Sequence, residues 1–552
     1  MTSTAVRLSR PVEEFARLGT LIRSILRRDR FRLLVWLMGV VLTIAAAAQA
    51  MGRLYPDPHA ASTVARAQLM ATPTGQAFGG PGYGIFDYTL GAIMMNELLM
   101  STLIVVAIMS VLLVTRWTRG DEETGRGELV GAACTGRSAS LAAALVVGFG
   151  LNLAIALGLT AGLMAQGLAL AGSAAFGLGA GLTGCFFVGV GAVTAQVFTT
   201  ARGASGGGMA VMGLFYMIRV AGDIGHAQQR PGGPAGSPLS WFSPFAWPLQ
   251  TRAFVDLRWW PLAIPLILGL VLAALATHLL HRRDFAAGLV QPRRGRAQAK
   301  AWLNSPLALL LRLERGSFAA WALAAGLLGL SCGYIDINGS FQNLLSGNPT
   351  LQKIWGQGQA SPADTFFAIL LLYGGVFGIA FAVNAIGHMR SSEVHGLAEL
   401  QLSTAVSRAK LLATAMAVGL VGGAVILVLT ALTLGLGGVP VNQASWAALL
   451  KAALALIPAL AVFVGLAAAL FGWLPRAIAL MWFYLIYSII ARMFGAVFNL
   501  PTWAVKASVL AATPGAPAEP ITATPLIIMT LIGLALGAAG YFGYRRRDLA
   551  IG

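Results

Sequence analysis

The chain has 552 residues, of which 57% are hydrophobic and only 11% charged. Soluble domains carry about 25% charged residues, so a water-soluble fold is excluded, and the apolar runs have the length of roughly 20 residues that crosses a bilayer core. The net charge of +18 does not point to nucleic acid, because the basic residues lie in short segments beside those runs, as in cytoplasmic loops.

Residues 12–30 place Phe15, Leu18, Leu21, Ile22, Ile25 and Leu26 at three- and four-residue steps opposite many arginines. This predicts an amphipathic helix in the cytoplasmic interface, although an ordinary charged lead-in fits as well. No cleavable signal is expected at this end. The apolar runs predict spans at 31–51, 93–114, 141–163, 174–198, 209–224 and 261–280. The second half adds 318–334, 366–386, 411–434, 452–474, 477–498 and 525–544. Three basic segments are expected inside, which requires an even number of spans. They hold Arg7, Arg10, Arg17, Arg23, Arg27, Arg28, Arg30 and Arg32; then Arg282, Arg283, Arg293, Arg294, Arg296 and Lys300; then Arg545, Arg546 and Arg547. The expected architecture is an all-α polytopic membrane protein of about twelve helices with both termini cytoplasmic. Its expected parts are an elbow helix at 1–30, a first half at 31–288, a linker with a second elbow helix at 289–317 and a second half at 318–552.

A charged loop occurs twice. Loop 116–138 contains Arg119, Glu122, Gly125, Glu128, Leu129 and Arg137; loop 387–409 contains Arg390, Glu393, Gly396, Glu399, Leu400 and Arg408. Each second residue follows its counterpart by the same shift (390 − 119 = 271). Arg282-Arg283-Asp284-Phe285 and Arg546-Arg547-Asp548-Leu549 close the two halves, and Phe215-Tyr216 is echoed by Phe483-Tyr484. With six spans in each half, the repeat is predicted to be parallel. Early acids and a late arginine complement a helix dipole, the glycines permit a tight turn, and recurrence at fixed spacing favours docking over a plain connector. Hydrophilic segments 52–90, 337–365, 225–258 and 499–524 are expected outside. The last two are rich in Pro and Trp (Pro231, Pro234, Pro238 and Trp241 in one), which fits either interfacial hairpins or ordered external loops.

Ionisable residues inside spans are costly. Arg219 and Asp223 are four apart and can pair on one helix face; Arg492 stands in the eleventh span, while Glu97 and Lys451 are expected to snorkel at span ends. Met212, Phe215, Tyr216, Arg219, Asp223, Phe483, Tyr484 and Arg492 are candidates for a translocation path, with helix packing as the competing explanation. Three scattered cysteines and six histidines form no metal pattern. None of the five lysines follows a glycine, so the chain has no phosphate-binding loop, and energy must come from a partner or an ion gradient.

The E-x-x-G-x-x-E-L loop with its downstream arginine, and the terminal R-R-D-[FL]-x-x-G signature, resemble type-2 ABC exporter permeases. The resemblance covers nearly the whole chain and falls in the tetronasin-resistance-like subgroup with two fused six-span halves. It implies a subunit of the bacterial plasma membrane that extrudes lipophilic drugs and is not itself an enzyme. A separate cytosolic ATPase, in two copies, would bind ATP and Mg and dock on both loops, leaving no cofactor in this chain. The first loop carries Glu123 where the second has Val394, so the two docking sites are not expected to be equivalent. A gradient-driven major-facilitator transporter is the alternative.

Overall fold

The computed structural model describes residues 14–226, 228, 233, 235–290, 298, 300–335, 361–494 and 500–548. Arg7, Arg10, Pro231, Pro234, Arg293, Arg294, Arg296, most of the segment 337–365 and the last residues 549–552 lie outside them. Every regular element among the described residues is helical. Among the described residues, eleven helices are long and apolar enough to cross a membrane, and the chain divides into two compact units, Met1–Arg294 and Gly295–Gly552.

In the first unit, α1 (Leu18–Leu54) joins the expected amphipathic segment and the first span into one helix. The two parts meet at Asp29, whose φ of −106° and ψ of 15° depart from helical geometry. Two short helices, α2 (Ala61–Ala71) and α3 (Pro73–Gly79), follow. The second span, α4 (Leu90–Glu123), contains π-helical turns at Met94–Leu98 and Arg116–Gly120. A short α5 (Arg126–Ala132) leads to α6 (Ala139–Met164), α7 (Leu170–Val197), α8 (Ala201–Asp223) and α9 (Trp260–His281). Because α7 is built largely from Gly and Ala, α4, α6, α8 and α9 all pack against it. In lipid, such close backbone approach replaces the hydrophobic effect as the source of helix association.

Glu97, expected to snorkel, is instead paired. Arg66 of α2 binds its carboxylate, and the Tyr88 hydroxyl donates to Oε1 at 3.0 Å. Burial works against the charge on Arg66, but Glu97 more than offsets it and holds the guanidinium above its usual range. Segment 225–258 forms a 3₁₀ turn (Pro238–Phe242) and a short helix (Ala246–Leu249). Trp247 is buried there with Nε1 donating to the Trp241 carbonyl at 2.7 Å, and Trp241 stacks on Trp260.

The second unit contains α10 (Pro306–Gly333), α11 (Pro362–Val394), α12 (Leu397–Leu402), α13 (Arg408–Asn442), α14 (Trp446–Trp473), α15 (Leu480–Phe494) and α16 (Ala523–Arg546). Ser305 and Ser361 cap α10 and α11, each followed by proline at the first helical position, the placement that satisfies an orphan amide without losing a bond. The first spanning helix of each unit packs on the third, and the fourth on the sixth. Between α14 and α16 the backbones nearly touch: a Cβ at Gly472 would lie 2.3 Å from the Gly540 carbonyl oxygen.

In the eleventh expected span, helix α15 covers 15 described residues. Pro475 in the preceding 3₁₀ turn delays its start. Residues 495–499 lie outside the described residues.

Candidate docking site

The first charged loop is held from behind by arginines. Arg119, in the π-helical turn of α4, is fully buried; its Nε donates to the Ala195 carbonyl of α7 at 3.0 Å and its Nη1 to Glu122 Oε2 at 2.7 Å. Glu122 also receives Arg283 from the segment after α9, Nη2 to Oε1 at 2.5 Å and Nη1 to Oε2 at 3.1 Å. Arg283 donates through Nε to Gln196 Oε1 at 2.7 Å, and its carbonyl accepts from Arg137 Nη2 at 2.8 Å. The frame therefore closes on itself: α4, α7 and the end of α9 meet at one carboxylate. A largely buried carboxylate surrounded by charged donors is a rigid anchor, because each charge-assisted bond fixes its direction.

The second loop has the same frame. Arg547 Nη2 donates to both Glu393 oxygens at 2.8 and 2.9 Å, and the Arg547 carbonyl accepts from Arg408 Nη1 at 2.6 Å. Arg390 Nη1 lies 3.7 Å from Glu393 Oε2, a looser contact than its counterpart. Arg547 also lies over the rings of Phe471 and Tyr544.

Gly125 and Gly396 separate the anchored part from the presented part. Their φ angles of 72° and 71° are left-handed, a conformation that costs a residue with a Cβ roughly 1–2 kcal/mol. Each glycine redirects the chain into a short helix, α5 or α12, that carries its glutamate and leucine outward. Glu128 and Glu399 are exposed, and Leu129 and Leu400 are 77% and 69% exposed. Exposed leucines beside acids form a surface suited to a partner with an apolar pocket and basic rim. Glu123 is exposed and Val394 is 40% exposed, so the acidic departure of the first loop lies on its surface.

Behind each frame, a carboxylate of the first helix meets a ring two residues before the loop arginine. Trp117 Nε1 donates to Asp29 Oδ2 at 2.9 Å in the first unit, and His388 Nδ1 bonds Glu314 Oε1 in the second.

The candidate path residues fall in several environments. Arg219 is buried, with Nη1 donating to the Gln76 carbonyl at 2.8 Å, Nη2 to that of Ala77, and Asp223 Oδ2 at 3.4 Å. Asp223 Oδ1 accepts from the Ser240 hydroxyl at 2.6 Å. The Tyr216 hydroxyl donates to the Ala77 carbonyl at 3.1 Å. Met212 and Phe215 pack half-buried on the core of the first unit, Phe215 against Phe186. In the second unit, Phe483 is 69% exposed, whereas Tyr484 packs on Phe463 and donates to the Ala507 carbonyl at 2.9 Å. Arg492 pairs with Glu519 at 3.5 Å.

Arg283 and Arg547 are the functional candidates that the loop motif does not include. Their signal was the duplicated R-R-D signature, which sequence spacing does not connect to the loop. Asp29 and Glu314 carry a fainter signal, an acid flanked by arginines in Arg28-Asp29-Arg30 and Arg312-Leu313-Glu314-Arg315. Among the described residues, no cluster of three His, Cys, Asp or Glu side chains is placed to hold a metal ion.

Residues 303–545 match the family model described as the C-terminal domain of the multidrug efflux system permease Rv1217c. Over 564 aligned positions spanning 100% of both chains, the sequence is 33% identical to the multidrug efflux system permease protein Rv1217c of Mycobacterium tuberculosis.

Proposed function

This chain belongs to the multidrug efflux system permease family represented by Rv1217c, and from that premise we propose that it is the membrane-spanning subunit of an ATP-driven drug exporter. In this reading it sits in the plasma membrane with both charged loops cytoplasmic and moves lipophilic compounds outward. The ATP and Mg are bound by a separate ATPase, two copies of which dock on the two loops. The observation that carries the proposal is the frame around each loop: an anchored glutamate ties the loop to several helices, while a leucine and a second glutamate face solvent beyond a glycine hinge. Force applied at Leu129 or Leu400 would thus reach the spanning helices through stiff, charge-assisted contacts. The absence of a phosphate loop from the sequence supports a separate energy source.

Affinity purification from the native membrane in mild detergent, followed by mass spectrometry, tests the reading. A stoichiometric cytosolic protein carrying a phosphate loop is expected. A chain that purifies alone, and whose vesicles transport drug on a proton gradient without ATP, would overturn the proposal in favour of a gradient-driven transporter.

A further inference from the structure

We propose that the start of α1 carries a binding site for anionic phospholipid head groups, and that occupancy of this site steadies the first charged loop. Arg23, Arg27 and Arg30 stand at i, i+4 and i+7, the spacing that lines one face of a helix, and all three are exposed. Among the described residues, the ion pairs of this segment belong to Arg28, Arg32 and Arg116, which gather on Asp29 and Asp121. Arg23, Arg27 and Arg30 have no carboxylate partner there, and the Arg30 guanidinium lies over the Phe31 ring. Guanidinium groups stay charged at physiological pH and match phosphate oxygens in a bidentate fork, so this stripe fits an anion. Its place on α1 selects the anion. Beyond the stripe, α1 exposes Phe31, Leu34 and Val35, the lipid-facing start of the first span. Arg30 therefore stands at the hydrocarbon boundary, with Arg23 about 10 Å behind it along the helix. Leu26, exposed between the arginines, adds an apolar contact. Basic and apolar side chains side by side suit a phospholipid, whose phosphate and acyl chain meet at this level; a soluble polyanion engages only the arginines.

The other side of the same segment is tied to both ends of the first loop. Arg28 Nη1 donates to Asp121 Oδ1 and Oδ2 at 3.0 and 2.9 Å, beside the anchored Glu122. At the far end of the loop, the Ala16 carbonyl accepts from the Gly136 amide and the Glu14 carbonyl from the Ser138 amide, each at 3.2 Å. His281, at the end of α9, lies 3.8 Å from the Glu14 carboxylate and 3.4 Å from the Ser138 hydroxyl. Between these ties, Ile25 and Asp29 are buried. The segment is thus a bracket, with the loop on one side and the arginine stripe on the other. The break in helical geometry at Asp29 separates the bracket from the span. A head group held on the stripe fixes the bracket and, through Asp121, Gly136 and Ser138, the loop. The consequence for transport rests on the docking reading of that loop; the lipid site does not.

Amide hydrogen exchange on the full chain tests the proposal in nanodiscs of phosphatidylcholine alone and in nanodiscs that also contain phosphatidylglycerol. The anionic lipid should raise protection across residues 18–30 and 116–138, by about fivefold for each arginine engaged. Arg23→Gln, Arg27→Gln and Arg30→Gln together should abolish the rise in both segments, with the unfolding midpoint in detergent unchanged. Asp121→Asn should keep the rise across 18–30 and weaken it across 116–138. Inorganic phosphate added to the phosphatidylcholine discs should have no effect. Equal protection in the two lipids, a rise that survives the triple replacement, or the same rise with inorganic phosphate would overturn the lipid site. A wild-type rise confined to 18–30 would overturn its hold on the loop. Because no ATPase enters the measurement, its failure is distinguishable from failure of the docking reading.

Discussion

Arg283 reaches back across 161 residues of chain to place its Nη2 2.5 Å from Glu122 Oε1, so the segment after the last helix of the first unit locks the loop that follows its second. Arg283 is nearly buried and Glu122 is mostly so. Arg283→Ala should therefore lower stability by about 3 kcal/mol, the scale for removing one member of a buried pair. Thermal unfolding in detergent measures this, and Arg547→Ala should behave alike through Glu393. The swap of Glu122→Arg with Arg283→Glu is expected to regain only part of the loss, because Arg119 would then face a like charge.

Alanine at Gly125 or Gly396 meets no neighbouring atom within 4 Å, so the cost there is conformational. A left-handed residue with a Cβ is penalised by about 1–2 kcal/mol; each Gly→Ala change should reduce resistance in a drug-susceptible host. Asparagine, which tolerates this backbone region better than alanine, should be milder at both sites. Equal effects of Ala and Asn would mean that φ is not the constraint.

Leu129 and Leu400 are mostly exposed, and charged replacements there should leave the unfolding midpoint unchanged. Surface changes away from special features stay within about 0.5 kcal/mol. Leu129→Asp together with Leu400→Asp is nevertheless expected to abolish recovery of a bound ATPase and drug efflux. Glu128→Lys and Glu399→Lys should act in the same direction. Efflux that persists in all of these variants would argue against docking at these helices.

Arg219 and Phe483 separate structural from transport roles. Arg219→Met removes donors from two backbone carbonyls and from Asp223 and should destabilise by about 3 kcal/mol. Phe483→Ala alters an exposed side chain and should leave stability unchanged. If Phe483 lines the drug path, the variant shifts the resistance profile across drugs of different size. Phe215→Ala offers the contrast, because Phe215 packs against Phe186 and is expected to lower stability as well.

The membrane class, the approximate positions of eleven spans and both charged loops were legible in the sequence, because each rests on local composition or on repetition at fixed spacing. Apolar runs of bilayer length have few other uses, and a motif repeated at one constant shift declares itself without any knowledge of folding. Local patterns did not reveal that Glu97 would find Arg66, or that Asp29 would join two predicted segments into one bent helix. The closing arginines are the clearest case. Arg283 and Arg547 were visible as a repeated signature, yet their partners lie 161 and 154 residues away. Periodicity reports which face of a helix avoids lipid or water, but not which distant charge will meet it. That choice was made only when helix packing brought Glu122 and Glu393 largely out of solvent, where each carboxylate, beside its local arginine, gained a second and distant cation that only the folded unit could supply.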